Sequence, residues 1–183
     1  MKYIEIKAPA KINIGLHILN KRDDGYHNIH TLFYPICDLY DQLKFTLADE
    51  FEFTCNDASI PNDENNLVVK AKLLLENHIN KKLNVKIDLE KNIPSQAGLG
   101  GGSSDAAATL ISLNEMFNLN LNYEKLNSMA LSLGSDVPFF IKAKPAIGKS
   151  RGEILEYIDL EINEYIVIVK SEINISTKED FNN

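Results

Sequence analysis

The chain has 183 residues, 44% of them hydrophobic and 25% charged, as expected of one globular domain or slightly more. Its formal net charge of −7 excludes a general nucleic-acid binder, because a polyanion is repelled rather than steered. A small phosphorylated ligand stays open, since it needs only a local positive site.

The opening stretches read as strands. "YIEIKA" (Tyr3–Ala8) alternates, and "KINIGLHI" (Lys11–Ile18) alternates more cleanly. Ile12, Ile14, Leu16 and Ile18 fall on one face, expected to be the core face, and Lys11, Asn13, Gly15 and His17 on the other. "KRDDGYHN" (Lys21–Asn28) is a turn segment with Asp24-Gly25 as its hairpin signal. "IHTLFYPIC", "LKFTL" and "FEFTC" are further strand candidates, with Pro35 marking an edge or a bulge. Cys37 and Cys55 lie far apart with no metal-ligand spacing, which suits two reduced thiols of a cytosolic protein.

The period then changes. Leu67, Val68, Ala71, Leu74, Leu75 and His78 fall at helical spacing, with Asn65 or Asn66 as N-cap. "LNVKIDLE" (Leu83–Glu90) is a strand again, followed by a glycine-rich loop and a helix from Ser104 to Asn118. "NYEKLNSMALSLG" (Asn122–Gly134) is a second helix closed by Gly134, and "EYIVIVK" (Glu164–Lys170) reads as a late buried strand. Strands first, a βα unit in the middle and helices later define an α+β domain. The final "NISTKEDFNN" carries two overlapping capping boxes, Ser176 with Glu179 and Thr177 with Asp180. It is either a frayed polar tail or the first turn of a helix that continues. The N-terminus has no uninterrupted apolar core of a secretory leader, and no apolar run approaches the roughly 20 residues of a membrane helix. A cytoplasmic location is expected.

The loop "IPSQAGLGGGSSDAA" (Ile93–Ala107) holds four glycines in five residues. No lysine follows them as a Walker A loop requires, and the "GKS" at Gly148–Ser150 lacks its earlier glycine, which is Ala143 here. A Rossmann fingerprint fails too, because its sixth position is Ser103 and "KNIPSQA" separates the glycines from their strand. The physics of a phosphate cradle survives both failures. Glycines let backbone N–H groups point inward, and the helix that begins at Ser103, Ser104 and Asp105 offers N–H groups without internal partners. The serine hydroxyls add donors, and either could ligate Mg²⁺. Phosphoryl transfer also needs a group for the attacking hydroxyl and a positive charge beside it. Asp136 in "LGSDVPFF" is either a turn-capping aspartate or such a base, with Lys11 as its natural partner.

"PAKINIGLHI", "DGYHNI", "IPSQAGLGGGSSDAA" and "LGSDVPFF" occur in the order and at the spacing of one family. Together they resemble the GHMP kinase superfamily, in particular its branch that phosphorylates a cytidine-diphosphate-bearing alcohol in non-mevalonate isoprenoid precursor synthesis. The resemblance implies a first domain like ribosomal protein S5 domain 2 over residues 1–160. ATP phosphates would lie on Pro94, Ser95, Gln96, Ala97, Gly98, Leu99, Gly100, Gly101, Gly102, Ser103 and Ser104, with Asn65 near the adenine. Asp136 matches the base and Lys11 the cation beside it. Asn13 and His27 match substrate-contacting positions, Tyr26 and Phe181 the rings that stack on cytosine, and Thr177 a neighbour of that site. Mg²⁺ is implied by ATP, with Ser104 its one candidate ligand. The family has a second domain, so residues 161–183 are expected to begin it and the chain to be an N-terminal portion. A non-catalytic nucleotide-binding module, or a mevalonate- or homoserine-type kinase, is the alternative.

Overall fold

The computed structural model describes residues 3–23 and 25–170. Ten elements run in the order β1 (Tyr3–Lys21), β2 (His27–Leu47), β3 (Glu52–Cys55), α1 (Leu67–Ile79), β4 (Val85–Glu90), α2 (Gly101–Met116), α3 (Tyr123–Leu133), α4 (Val137–Phe140), β5 (Ala146–Ser150) and β6 (Ile154–Tyr157). The α+β reading holds. The strands form one six-stranded sheet in the order β3-β4-β2-β5-β6, with β1 also paired to β2. Only β3 and β4 run parallel; every other pair is antiparallel.

Stretches that read as separate strands are joined in β1 and β2, which bend at bulges instead of stopping. One bulge falls between Pro9 and Ala10, another around Gly15, which takes φ +66°. Pro35 pairs Lys11 in β1, in the part of β2 between its pairing with β5 (Ile29–Phe33) and with β4 (Gln42–Leu47). Its missing N–H therefore costs no ladder bond on the second side.

The helices pack on the sheet through a core built on Phe33, Leu43, Phe45, Leu75, Leu110 and Phe139, all essentially inaccessible. Helix α2 packs on β1, and Ala106, Ala107 and Ala108 of the helix and Ala8 and Ala10 of the strand are all buried, so small residues suit a close approach. Asn66, rather than Asn65, caps α1: its side chain accepts from the Val68 N–H at 2.8 Å. At the other end of α1, buried Glu76 accepts the Leu83 N–H at 2.6 Å and pairs with Lys72 at 2.8 Å. Burial alone would raise this carboxyl, but those donors and Lys82 hold it below its ordinary value.

Three expectations need correction. The apolar face of β1 is not the core face: Ile14, Leu16 and Ile18 are 40–47% exposed, while Lys11 is buried. The helices cover the Lys11 side, and the positive-φ bulge at Gly15 breaks the alternation on which the reading rested. Residues 164–170 form no strand, and Tyr165, Val167 and Val169 are more than four-fifths exposed. Their alternation is real, but no described strand pairs with it. Helix α2 starts three residues before the expected Ser104, because Gly100 caps it in the left-handed conformation at φ +73°. Strands β5 and β6 were not expected from the sequence.

Gly148 of β5 lies under the buried Phe33 ring, in contact distance of where a Cβ would stand. Gly148→Ala is therefore expected to lower stability by about 1–3 kcal/mol through overpacking, read as a smaller urea midpoint with unchanged slope.

Candidate active site

Lys11 leaves β1 on the helix side. Its backbone N–H donates to the Leu99 carbonyl at 2.9 Å, which ties the glycine loop to the strand. Its ammonium donates to Asn13 Oδ1 at 2.6 Å, and Asn13 Nδ2 donates on to Thr31 Oγ1 at 3.1 Å. Asp136 closes the arrangement, with Oδ2 3.5 Å from Lys11 Nζ. Although Asp136 occupies the N-cap position of α4, its side chain caps nothing there. The capping reading of this aspartate thus finds no hydrogen bond at α4. The carboxylate is a third exposed and the ammonium nearly buried, so the pair has one open side.

That open side is a cleft of about 450 Å³. Residues 94–103, Lys11, Asp136 and Asn65 line it, as do Lys91 and Asp105. The first N–H groups of α2, from Gly101 to Ser103, have no partner one turn back, and the helix end carries partial positive charge. Gly100 permits the geometry twice over. Its φ of +73° suits glycine, and a Cβ would fall 2.7 Å from the Phe140 ring and 3.2 Å from Lys11 Cγ. Ser104 is placed differently from its neighbours. It is 1% exposed under the first turn, its hydroxyl has no partner, and it does not line the cleft.

The other expected residues are spread more widely. Asn65 reaches the cleft, with its side chain held by Asp63 at 3.2 Å. Tyr26 is 53% exposed beyond the hairpin turn, with the Arg151 guanidinium 4.9 Å from its ring centroid. His27 opens β2, half-buried. Neither lines the cleft. Thr177, Phe181 and the capping boxes lie outside the described residues. Among the described residues no three His, Cys, Asp or Glu side chains converge as a metal site, and no helix is long and apolar enough to cross a membrane.

Sequence reasoning missed a second charged group, beneath the loop. Asp41 on β2 is fully buried and accepts the Asn92 N–H at 2.6 Å, the Ile93 N–H at 2.8 Å and the Lys91 ammonium. Lys91 also donates to Asp105 Oδ2 at 2.8 Å. Burial drives the Asp105 carboxyl up to about 7, with Lys91 opposing and Asp41 reinforcing the shift. Burial disfavours the Lys91 ammonium too, yet the two carboxylates outweigh it and raise its pKa above the ordinary value. Fifty residues separate Asp41 from Lys91, and no local pattern announces such a pair.

Residues 66–144 match the family described as "GHMP kinases N terminal domain". The chain carries that domain and has its fold. Its similarity is more particular than the family. A 4-diphosphocytidyl-2-C-methyl-D-erythritol kinase of Thermoanaerobacter pseudethanolicus is 44% identical over 98% of this chain and 61% of its own length. The enzyme of that name from Methylacidiphilum infernorum is 51% identical over 84% of this chain and 54% of its own. A crystal structure of 4-(cytidine 5'-diphospho)-2C-methyl-D-erythritol kinase superposes with TM-score 0.75 at 38% identity, covering 86% of this chain and 56% of that one. Homoserine kinase of Cytophaga hutchinsonii, at TM-score 0.70 and 18% identity, shares the fold. The chain thus spans 61% and 54% of the two curated relatives.

The raised Asp105 has a consequence for stability. In the folded chain it keeps its proton to about pH 7, whereas unfolded it loses it near 3.8. The folded state binds more protons in that window, so stability falls as pH rises through it, from a contribution that is whole below 3.8. Asp105→Asn removes this loss. The midpoint of the variant minus that of the wild type is expected to grow from about pH 4 to about pH 7.5, and an unchanging difference would contradict the assignment.

Proposed function

We propose that this chain is the nucleotide-binding and base-bearing part of a cytoplasmic kinase. The reaction is transfer of the ATP γ-phosphoryl group to the 2-hydroxyl of 4-diphosphocytidyl-2-C-methyl-D-erythritol, a step of non-mevalonate isoprenoid precursor synthesis. The observation that carries it is the Lys11–Asp136 pair, at 3.5 Å, facing a cleft whose other wall is a loop of unpartnered N–H groups. Residues 1–160 form the first domain in this reading, and 161–183 begin the second.

The loop amides and the α2 end hold the β- and γ-phosphates and face their charge without rearranging. Asp136 accepts the proton of the acceptor hydroxyl as that oxygen bonds to the γ-phosphorus. The bond from that phosphorus to the β–γ bridging oxygen breaks, and ADP leaves. Lys11 steadies both the Asp136 carboxylate and the developing charge on the acceptor oxygen. Asn13 holds the ammonium in place and, with His27, meets the substrate. Tyr26 and Phe181 stack on the cytosine beside Thr177, and Asn65 lies by the adenine. Mg²⁺ accompanies ATP in this chemistry. The Ser104 hydroxyl, the donor expected for it, is buried and does not line the cleft, so it does not fit that role here, and no step above is routed through the ion.

ADP release with the cytidine-diphosphate substrate tests the proposal. Good turnover of mevalonate or homoserine in its place would move the chain elsewhere among GHMP kinases. Asp136→Asn is expected to cut kcat by about 10²–10⁴ while leaving KM for ATP within about threefold. A second reading, a binding module without turnover, draws on the uncovered apolar residues Leu16, Ile18, Val167 and Val169. Calorimetry with a non-hydrolysable ATP analogue separates them: binding with no ADP release favours the module.

A further inference from the structure

The Asp41–Lys91–Asp105 group touches both ends of the glycine loop. At the start, Asp41 takes the N–H groups of Asn92 and Ile93, which fixes the backbone just before Pro94. At the end, Lys91 reaches Asp105 in the second turn of α2. Between them the group packs against the first residue of the helix. A Cβ on Gly101 would stand 3.1 Å from Lys91 Nζ and 3.2 Å from Asp41 Oδ2. Lys91, Asp41 and Asp105 side chains are at most 7% exposed, so water screens these contacts little.

We infer that Lys91, held between Asp41 and Asp105, is a positioning residue that clamps the two ends of the loop so that the α2 N–H groups converge on one phosphate. This rests on the nucleotide reading of the cleft. It also carries an electrostatic paradox. Asp105 lines a cleft meant for a polyanion, and above about pH 7, where it is ionised, it should repel that ligand. If the carboxylate were a bystander, removing it would strengthen nucleotide binding. The clamp demands the opposite sign, because without Asp105 the link from Lys91 to the helix is lost. A direct contact from Lys91 to phosphate also demands tighter binding, since the ammonium would be released towards the ligand.

Three variants of the 183-residue chain decide it, by calorimetry with a non-hydrolysable ATP analogue. Asp105→Leu is expected to raise Kd about tenfold, because small displacements of oriented groups are costly. Asp105→Asn keeps an oxygen for Lys91 and is expected to stay within about threefold of the wild type. Lys91→Met and Asp105→Leu combined with Asp41→Asn remove all three charges, a change often neutral or stabilising for the fold, while the amide oxygen at position 41 still accepts the Asn92 and Ile93 N–H groups. Its melting temperature is expected to hold while its Kd rises as in Asp105→Leu. A purely structural pair would show the reverse, a lower melting temperature with unchanged Kd in the molecules that remain folded. Equal or tighter binding by Asp105→Leu overturns the clamp. If the wild type itself binds no analogue, the nucleotide reading fails, and amide exchange then judges the clamp. Exchange at residues 95–100 must quicken in the triple variant, and unchanged exchange sinks the inference.

Discussion

The close approach of the α2 N-terminus to β1 is the constraint on which the rest of the structure depends. Small side chains make it possible, with Ala8 and Ala10 on the strand and Ala106 to Ala108 on the helix all buried. At the helix tip even a methyl group is too large, since Gly100 meets Phe140 and Lys11 and Gly101 meets Lys91 and Asp41. Gly100 is thus required by packing from below, whatever occupies the cleft above. A loop that looks flexible in sequence is held at its start, its middle and its end, through Asp41, the Leu99 carbonyl and Gly100.

An acidic chain that holds a polyanion, as proposed, must concentrate its positive charge. Lys11, Lys72 and Lys91 are each buried and each paired with a carboxylate. Lys72 pairs with Glu76 in α1 and has no part in the cleft, while the other two line it. Backbone dipoles supply what side chains do not. The partial charge at the end of α2 needs no counterion of its own and is not lost to a change of rotamer. This is how the loop dispenses with a lysine inside its own motif.

Much of this was legible in the sequence where the signal was local. The helical period, the Asn66 cap and the glycine loop could be read from neighbours in the chain, and so could the pairing of Lys11 with Asp136 once the motifs were ordered. What failed was non-local. Alternation along β1 showed neither the bulge at Gly15 that breaks it nor which face the helices would cover, because the covering elements lie more than 50 residues away. The alternation of Tyr165, Val167 and Val169 was a true pattern that meets no described strand. Asp41 was invisible, since only the fold brings it to the Asn92 and Ile93 amides. Gly100 as cap was missed for another reason: a glycine cap donates no side chain and leaves no capping-box signature.

The two cleft lysines differ in what surrounds them, and this suits them to different work. Lys91 is sealed, with two carboxylates in hydrogen-bonding reach and no room to exchange either. Moving it would leave two buried carboxylates facing each other, a loss that buried pairs do not tolerate. Lys11 has one carboxylate at 3.5 Å, beyond an ordinary hydrogen bond, and a close amide oxygen at 2.6 Å. At 3.5 Å no oxygen fits between the ammonium and Asp136, so in the proposed reaction the acceptor hydroxyl would reach both from the open cleft side. The asymmetry follows from position: Lys91 lies under the loop, where the helix closes over it, and Lys11 at the loop's edge, where the cleft begins.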